Sequence, residues 1–315
     1  MTPLHPGDRL DHYLIEHLVA RGGMATVFKG KDLTTGAAVA LKVPHPETEC
    51  DPVMFDRFRR ETKIGEEIDH PAIVKVFPEK RRSRPYIAAE WIEGVSLRAI
   101  LDEEKRLPVP RALRLTIALC EALRHIHENG VVHRDLKPDN VMVFADDSVK
   151  LIDFGLAALK GARRLTFGKF SRLMGTADYI SPEQVEGKRG DARSDIYALG
   201  VMLYEMLAGN SPWEGKNPFT VMKERTLHDP VPLRRLNADV PPGVEAVVRK
   251  ALRRDPTQRY SNAAEFMEAL ENPEQALATR AMNQDSAPVP KSWLFSLAMI
   301  PASIFLLLLY VASHQ

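Results

Sequence analysis

Cysteine is scarce in this chain of 315 residues, which contains only Cys50 and Cys120. Two thiols so far apart in sequence do not make a disulfide framework or a zinc knuckle, so small domains held together in those ways are excluded. We expect both side chains to be buried free thiols in a reducing compartment.

An excess of either charge is also absent. The chain has 43 Lys and Arg against 42 Asp and Glu, which gives a formal net charge of +1. No global basic field is available to attract nucleic acid, so we expect no nucleic-acid partner. Hydrophobic residues make up 44% and charged residues 27% of the chain, which favours a globular protein with room for one large domain or two lobes.

Charge is missing altogether from residues 293–312, WLFSLAMIPASIFLLLLYVA. Twenty helical residues span about 30 Å, the hydrocarbon thickness of a bilayer, so the segment predicts a transmembrane helix in contact with membrane lipid. A buried core helix is the alternative. Residues 273–292 are rich in proline and small polar residues and predict a linker. Because Arg280 and Lys291 precede the span and no Lys or Arg follows it, we expect a single pass with residues 1–272 in the cytoplasm.

The first ninety residues alternate short β-like runs with turns and then change to a helical period. Residues 13–20, 25–31 and 37–43 predict strands, and 55–68 predicts an amphipathic helix that ends before Pro71. The chain after Arg111 is mainly helical in pattern. We therefore expect an α+β fold with a small, mostly β lobe over about 10–92 and a larger helical lobe over about 93–272.

The most informative run is His133-Arg134-Asp135-Leu136-Lys137-Pro138-Asp139-Asn140, followed by Asp153-Phe154-Gly155. It matches every fixed position of the catalytic-loop signature H-R-D-L-x-x-x-N, with the D-F-G metal motif after one hairpin-length segment. The chain resembles the eukaryotic-type (Hanks-type) protein kinases of bacteria, and Lys137-Pro138 is similar to their Ser/Thr branch.

The resemblance implies a role for each polar side chain of this run. Asp135 would accept the proton of the substrate hydroxyl or orient that hydroxyl, and Lys137 would neutralise the transferred group. Asn140 and Asp153 would be oxygen ligands for Mg²⁺ (or Mn²⁺) bound with ATP. We expect His133 to pack beside Phe154.

The phosphate anchor is predicted on the strand that ends in Val39-Ala40-Leu41-Lys42, which resembles the family's V-A-I-K. By this resemblance Lys42 bridges the α- and β-phosphates and pairs with an acid on the following helix. Glu61 is the best-placed acid, and Glu66 and Glu67 are alternatives.

The glycine-rich loop over the phosphates departs from the family. Aligning Val27 with the family's valine places the three glycines at Ala20, Gly22 and Ala25, so only the middle one is retained, joined by Gly23. Glycine lets the backbone approach the phosphates closely, so we expect a stiffer loop and weaker ATP binding.

The adenine pocket is predicted beside the run Tyr86-Ile87-Ala88-Ala89-Glu90-Trp91-Ile92. This run resembles the family's strand that leads into the hinge between the lobes. Glu90 and Ile92 would offer backbone groups to adenine, and Ala89 would hold the gatekeeper position, where a methyl leaves an apolar recess. One alternative is that Phe77, Ile64 or another neighbour already fills the recess. Another is that a register error of one residue places Ala88 at this position instead. The resemblance also implies ATP contacts from Val27, Ala40 and Met142.

The segment from Asp153 to Glu183 resembles the family's activation segment, and Gly175-Thr176-Ala177-Asp178-Tyr179 its substrate-docking stretch, which implies a protein substrate. Thr176 would bond the catalytic Asp and Lys. Arg134 beside Asp135 implies a cation that a phosphorylated loop neutralises, with Thr166 and Ser171 as candidate sites. The resemblance also implies that Arg259 pairs with Glu183 and that Asp195 supports the catalytic loop.

The predicted architecture is a two-lobed protein kinase fold plus one C-terminal transmembrane helix. The predicted function is ATP-dependent transfer of a phosphoryl group to Ser or Thr of protein substrates at the cytoplasmic face of a membrane. The family also implies autophosphorylation in trans within a homodimer. A membrane-tethered ATP-binding pseudokinase scaffold is the alternative, favoured by the depleted glycine loop, and a small-molecule kinase is a third hypothesis.

Overall fold

A computed structural model describes residues 4–78, 81–154, 158–159, 178–215, 217–275 and 277. These residues form two lobes, a smaller one built on a β-sheet and a larger one built on helices. The arrangement confirms the expected two-lobed fold. The predicted membrane span 293–312 lies outside the described residues. Within the described residues, no helix has the length and apolar character needed to cross a bilayer.

The small lobe is one antiparallel sheet with two helices. Its strands lie in the order β1-β2-β3-β4-β6-β5, with every paired neighbour antiparallel. The elements in chain order are β1 Arg9–Leu10, β2 Tyr13–Arg21, β3 Ala25–Asp32, β4 Ala38–Pro44, α1 Pro46–Cys50, α2 Pro52–Glu67, β5 Val76–Phe77 and β6 Ile87–Glu90. The three predicted strands and the predicted helix are therefore present, with bounds shifted by a few residues.

Helix α2 begins three residues before the predicted start because its N-cap lies outside the apolar pattern. The carboxylate of Asp51 accepts hydrogen bonds from the backbone N–H groups of Val53 and Met54, and Pro52 occupies the first helical position. This satisfies donors that a helix start otherwise leaves unpaired. The cap fixes where the helix starts and thus which side chains face the sheet.

The large lobe contains the remaining elements. These are β7 Val95–Ser96, α3 Leu97–Glu104, α4 Val109–Glu128, β8 Val131–Val132, β9 Val141–Val143, β10 Val149–Leu151, β11 Ala158–Leu159, α5 Pro182–Val185, α6 Ala192–Ala208, α7 Pro218–Leu227, α8 Leu233–Leu236, α9 Pro242–Ala251 and α10 Ala263–Glu271. The described part of the lobe also contains 3₁₀ turns at Pro138–Asn140 and Pro256–Gln258. Its strands form small antiparallel sheets in the orders β10-β9-β7 and β11-β8, and β8 and β9 flank the catalytic run in the chain.

Helix α6 is the centre of the large lobe, since its residues from Ser194 to Leu207 are all buried. A helix that is apolar all round belongs in the middle of a core. Helices α4, α9 and α10 pack around it and bury Cys120 with the other apolar side chains. The expectation of two buried thiols is wrong for Cys50, which is exposed at the last residue of the short helix α1.

Candidate active site

A cavity of about 360 Å³ lies between the two lobes. Ten of the residues predicted to bind ATP or metal line it together, contributed by both lobes: Val27, Ala40, Lys42, Glu61, Ala89, Glu90, Ile92, Asn140, Met142 and Asp153. The volume is in the range of small-ligand sites in proteins. The structure thus brings the predicted nucleotide residues to one cleft.

Lys42 lies at the inner end of this cleft between two carboxylates. Its Nζ donates to Glu61 Oε1 at 2.5 Å and to Asp153 Oδ1 at 3.2 Å. The pair confirms Glu61 as the partner over the alternatives, because Glu66 binds Arg82 and Glu67 faces Lys63 instead. Strand β4, helix α2 and the metal motif therefore meet at a single ammonium group.

The protonation behaviour of this group follows from burial and charge. Burial opposes the charged form of Lys42, but the carboxylates of Asp153 and Glu61 outweigh it and raise the Lys42 pKa. Burial raises the pKa of Glu61 to about 7, against the pull of the Lys42 ammonium. At neutral pH the site therefore keeps a fixed cation beside Asp153, at a place where a phosphate would be favoured.

The backbone of the catalytic run is held from below by one buried carboxylate. Asp195 accepts hydrogen bonds from the N–H groups of His133 at 2.8 Å and Arg134 at 2.7 Å, and from His127 Nε2 at 2.8 Å. Arg134 has φ 66°, a left-handed conformation that non-glycine residues rarely adopt. The predicted supporting role of Asp195 is confirmed, and it explains how this strained backbone persists.

Asp135 presents an oxygen with unused acceptor capacity. Its Oδ2 lies 3.4 Å from Lys137 Nζ, whereas its buried Oδ1 has no hydrogen-bond partner among the described residues. Burial raises the Asp135 pKa, Lys137 opposes the shift, and Asp153 adds to it. A carboxylate held in this way can accept a hydrogen bond from an incoming hydroxyl.

Asn140 and Asp153 provide the oxygen donors on the floor of the cleft. Asn140 Nδ2 donates to the carbonyl of Asp135 at 2.9 Å, which ties the amide to the catalytic run. Such hard oxygen donors suit Mg²⁺, which usually takes one or two protein ligands and completes its shell with water and phosphate oxygens. No cluster of three or more His, Cys, Asp or Glu side chains that could hold a metal ion occurs in the described part of the chain.

The outer end of the cleft is formed by strand β6 and the residues after it. Ala89 lines the cavity and pairs with Ala40 across the sheet, whereas Ala88 is fully buried in the opposite core with Phe77 packed against it. Of the two candidates for the gatekeeper position, only Ala89 therefore faces the cavity. Ile64 belongs to the buried core and does not line the cavity.

The side chain of Glu90 is fixed behind this outer end. Glu90 Oε1 accepts from the N–H of Lys75 at 2.8 Å and from the ammonium of Lys150. The adjacent Trp91 lies under Lys29, whose Nζ is 4.9 Å from the ring centroid. These contacts hold the strand that joins the lobes.

The glycine-poor loop does not itself line the cavity. Ala20 pairs with Val27 in the β2–β3 ladder, and the loop through Gly22 and Gly23 connects the two strands at the edge of the cleft. Ala20, Gly22 and Gly23 therefore lie near the cleft without forming its wall.

Arg134 carries its charge in a crowded position. Burial and the nearby cations Arg189 and Arg60 lower its pKa to about 10, although Asp195 and Asp191 oppose the shift. Arg134 therefore lies within electrostatic range of two other guanidinium groups, that of Arg60 on α2, which pairs with Asp56, and that of Arg189 after α5. Thr166, Ser171 and Thr176 lie outside the described residues.

The end of the activation segment is anchored in the large lobe. Arg259 binds both carboxylate oxygens of Glu183, at 2.8 and 2.7 Å, as predicted. Arg225, which the sequence did not single out, is fully buried and donates to the carbonyls of Asp178 and Ile180. His133 also packs beside Phe154 as expected, with ring centroids 5.3 Å apart.

Sequence reasoning missed most of the apolar wall of the cleft. The missed lining residues share no motif and come from strand and loop positions that face the cavity: Val19, Val74, Val76, Ile87, Trp91, Ile152 and Phe154, with Asp139 at the rim. Alternation along β6 was an available signal, because Ile87 and Ala89 are two apart and so share a face. Val74 and Val76 follow the same rule.

Comparisons with known proteins agree with this geometry. Residues 13–273 match the family model for the protein kinase domain. Serine/threonine-protein kinase PknB of Mycolicibacterium smegmatis is 39% identical over 270 residues, which cover 84% of this chain and 43% of that protein. PknB of Mycobacterium tuberculosis is 38% identical with the same coverage, and a probable serine/threonine-protein kinase of Streptomyces coelicolor is 37% identical over 283 residues.

A solved structure supports the fold. The kinase domain of PknI from Mycobacterium tuberculosis superposes with a TM-score of 0.67 at 25% sequence identity, over 86% of this chain and 100% of that domain. The chain spans less than half the length of the curated relatives it matches.

Proposed function

The chain belongs to the protein kinase family, and from this premise we propose that it transfers the γ-phosphoryl group of ATP to Ser or Thr hydroxyls of proteins. The observation that carries the proposal is the convergence of Lys42, Glu61 and Asp153 at the inner end of the cleft that Asn140 also lines. The Ser/Thr preference is supported by the relatives, whose names describe them as serine/threonine kinases.

The chain's own residues divide the work by position. Lys42, held by Glu61, would bind phosphate oxygens of ATP at the inner end of the cleft. The carboxylate of Asp135 would accept the hydrogen bond of the substrate hydroxyl and orient it, while Lys137 balances charge beside it. Asn140 and Asp153 would hold the divalent cation, which neutralises charge on the phosphates. Apolar side chains of the cleft wall exclude water from adenine.

Incubation of the full chain with labelled ATP and Mg²⁺ tests the proposal. We expect incorporation of label into the chain itself and into an added protein substrate on Ser or Thr. ATP binding without any transfer would support the pseudokinase scaffold, which the alanines at positions 20 and 25 favour. Transfer only to a small metabolite would support a small-molecule kinase and overturn the proposal.

We also propose a membrane tether through residues 293–312, supported by twenty consecutive uncharged residues after a proline-rich linker. On this basis the full chain fractionates with membranes and withstands high salt, because apolar burial is not screened by ions. A chain ending at Asn272 should be soluble and active, since α10 ends at Glu271. Release of the full chain by salt alone would contradict the tether.

Regulation by phosphorylation is a further part of the proposed function. The crowded cations Arg134, Arg60 and Arg189 favour a phosphate nearby, and Thr166 and Ser171 are the candidate acceptors, modified in trans within a homodimer. We expect mass spectrometry of active protein to find phosphate at one of them, and the double variant Thr166→Ala with Ser171→Ala to lose activity. An unmodified active protein would contradict this part.

A further inference from the structure

The loop that joins β2 to β3 is tightly closed. Arg21 pairs with Thr26 at the end of the ladder, and the N–H of Gly22 donates to the carbonyl of Ala25 at 2.9 Å. Only Gly23 and Met24 remain at the tip. A loop this short has little freedom of its own, so its position at the edge of the cleft depends on what holds the tip.

The tip is held by the segment that follows β4. The carbonyl of Met24 accepts two hydrogen bonds from it, one from the N–H of His45 at 2.9 Å and one from the hydroxyl of Thr48 at 2.7 Å. A further contact joins Thr26 Oγ1 and His45 Nε2 at 2.9 Å. The His45 N–H bond extends the β3–β4 ladder past the pair of Ala25 and Pro44, which any residue except proline could do. The Thr48 bond, in contrast, requires a side-chain hydroxyl.

Thr48 also links the loop to the helix that carries Glu61. Its side chain is 1% exposed and projects from α1, whose end joins the start of α2 through Asp51. The N–H of Asp51 donates to Glu47 within α1, and the Asp51 carboxylate caps α2. The tip of the loop, α1 and α2 are thus one connected unit beside the cleft.

We propose that Thr48 is a positioning residue for ATP, whose hydroxyl fixes the loop tip in the place where its backbone meets the phosphates. The proposal rests on the proposed kinase function. Because alanine replaces two of the family's three glycines, the loop has less freedom to adjust around a nucleotide, and its position before binding matters more. The loop would contact ATP in both the ground state and the transition state. Loss of the Thr48 bond should therefore raise KM for ATP and leave kcat nearly unchanged.

The test uses three variants of the full chain. Thr48→Val removes the hydroxyl and keeps the shape, and Thr48→Ser restores the hydroxyl. Thr116→Val is the matched control, because Thr116 is equally buried and donates to the carbonyl of Ala112 at 2.7 Å within α4, away from the cleft. The measurements are KM and kcat for ATP, melting temperature, and hydrogen–deuterium exchange of residues 20–26 without nucleotide.

We expect Thr48→Val to raise KM for ATP about three- to tenfold, the net strength of one hydrogen bond, with kcat within about twofold. Exchange of residues 20–26 should quicken in Thr48→Val only, and Thr48→Ser should return both values to wild type. Both valine variants lose a buried hydrogen bond, so their melting temperatures should drop by similar amounts. Only Thr48→Val should also change KM for ATP, which separates a positioning role from a loss of stability.

Two results would overturn the inference in different ways. An active wild type whose KM and loop exchange are unchanged in Thr48→Val, or equally changed in Thr116→Val, would overturn the role of Thr48 and leave the kinase function standing. A wild type that neither binds nor turns over ATP would overturn the proposed function and the nucleotide role of Thr48 together.

Discussion

Each lobe contains an ion pair between a basic side chain and a carboxylate, but one pair is closed to ligands and the other lines a cavity. In the large lobe Arg259 uses all five of its N–H donors, two on the Glu183 carboxylate and three on the carbonyls of Arg253, Arg193 and Arg254. In the small lobe the ammonium of Lys42 contacts Glu61 and Asp153 and lines an open cavity.

The exposed fractions of the side chains show the same contrast. The Arg259 side chain is 0% exposed, whereas Lys42 is 23% and its partner Asp153 is 35% exposed. A buried pair with every donor satisfied has no room for a ligand and serves the fold. A pair at the wall of a cavity keeps the capacity to bind an anion. Breaking the Arg259 pair should therefore lower stability, whereas changes at the Lys42 cleft should lower activity.

Replacing the carboxylates of the cleft should cause the largest loss of phosphotransfer activity. We expect Asp135→Asn and Asp153→Asn each to lower phosphotransfer by about 10²–10⁴-fold, since one loses the group that orients the hydroxyl and the other a metal ligand. Asp135→Asn should keep nearly normal nucleotide binding. Rates with labelled ATP measure phosphotransfer, and binding of a fluorescent nucleotide measures nucleotide affinity. The control is Asp146→Asn in the exposed β9–β10 turn. Near-normal rates would refute the assignments.

Disrupting the Arg259–Glu183 pair of the large lobe should instead lower the free energy of unfolding. Arg259→Met leaves the Glu183 carboxylate buried without its cation, so we expect a loss of about 3–5 kcal/mol in the free energy of unfolding. Lys42→Met is the matched variant in the other lobe and should lose less than half of that, because Glu61 lies beside the open cleft. Urea unfolding of both variants gives the values. Equal losses would show that the two pairs do not differ as described.

Free space beside Lys42 gives a third, smaller test. Val76, Ile87 and Phe154 line the same cavity as Ala89, so we expect the small Ala89 side chain to leave an apolar recess there. An apolar group gains roughly 25 cal/mol per Å² of surface removed from water, so ATP analogues with a bulky apolar group on the exocyclic amine should bind. Ala89→Met should weaken them about tenfold or more and retain ATP turnover. Inhibition constants for one analogue in both proteins decide this, and equal constants would mean that no recess exists.

The smallest effect concerns pH. Burial would raise the pKa of Glu183, but hydrogen bonds and charge from Arg259 hold it below its ordinary value. A carboxylate with a depressed pKa stabilises the fold above its unfolded pKa of about 4.5 and loses that contribution as the pH falls further. Wild type should therefore lose stability more steeply below pH 4.5 than Glu183→Gln does. The free energy of unfolding of both proteins is measured between pH 3 and 7. Parallel curves would show that the Glu183 carboxylate does not stabilise the fold through Arg259.

Short-range patterns predicted much of the fold and of the site. The catalytic run, Lys42 and the β-like runs carry fixed spacings, and spacing survives in any fold that uses them. The start of α2 at Pro52 was missed because the cap Asp51 stands outside the apolar period. Exposure of Cys50 was missed because an element of five residues is too short to show a buried face.

Residue types at set intervals were enough to indicate the family, the candidate residues for phosphoryl transfer and the pairing of Arg259 with Glu183. Only the tertiary structure decided that Glu61 rather than Glu66 meets Lys42, that Ala89 rather than Ala88 faces the cavity, and that Thr48 holds Met24. Each choice depends on which face of an element meets a partner far away in the chain. That contact arises from packing of the whole lobe, and local spacing does not encode it.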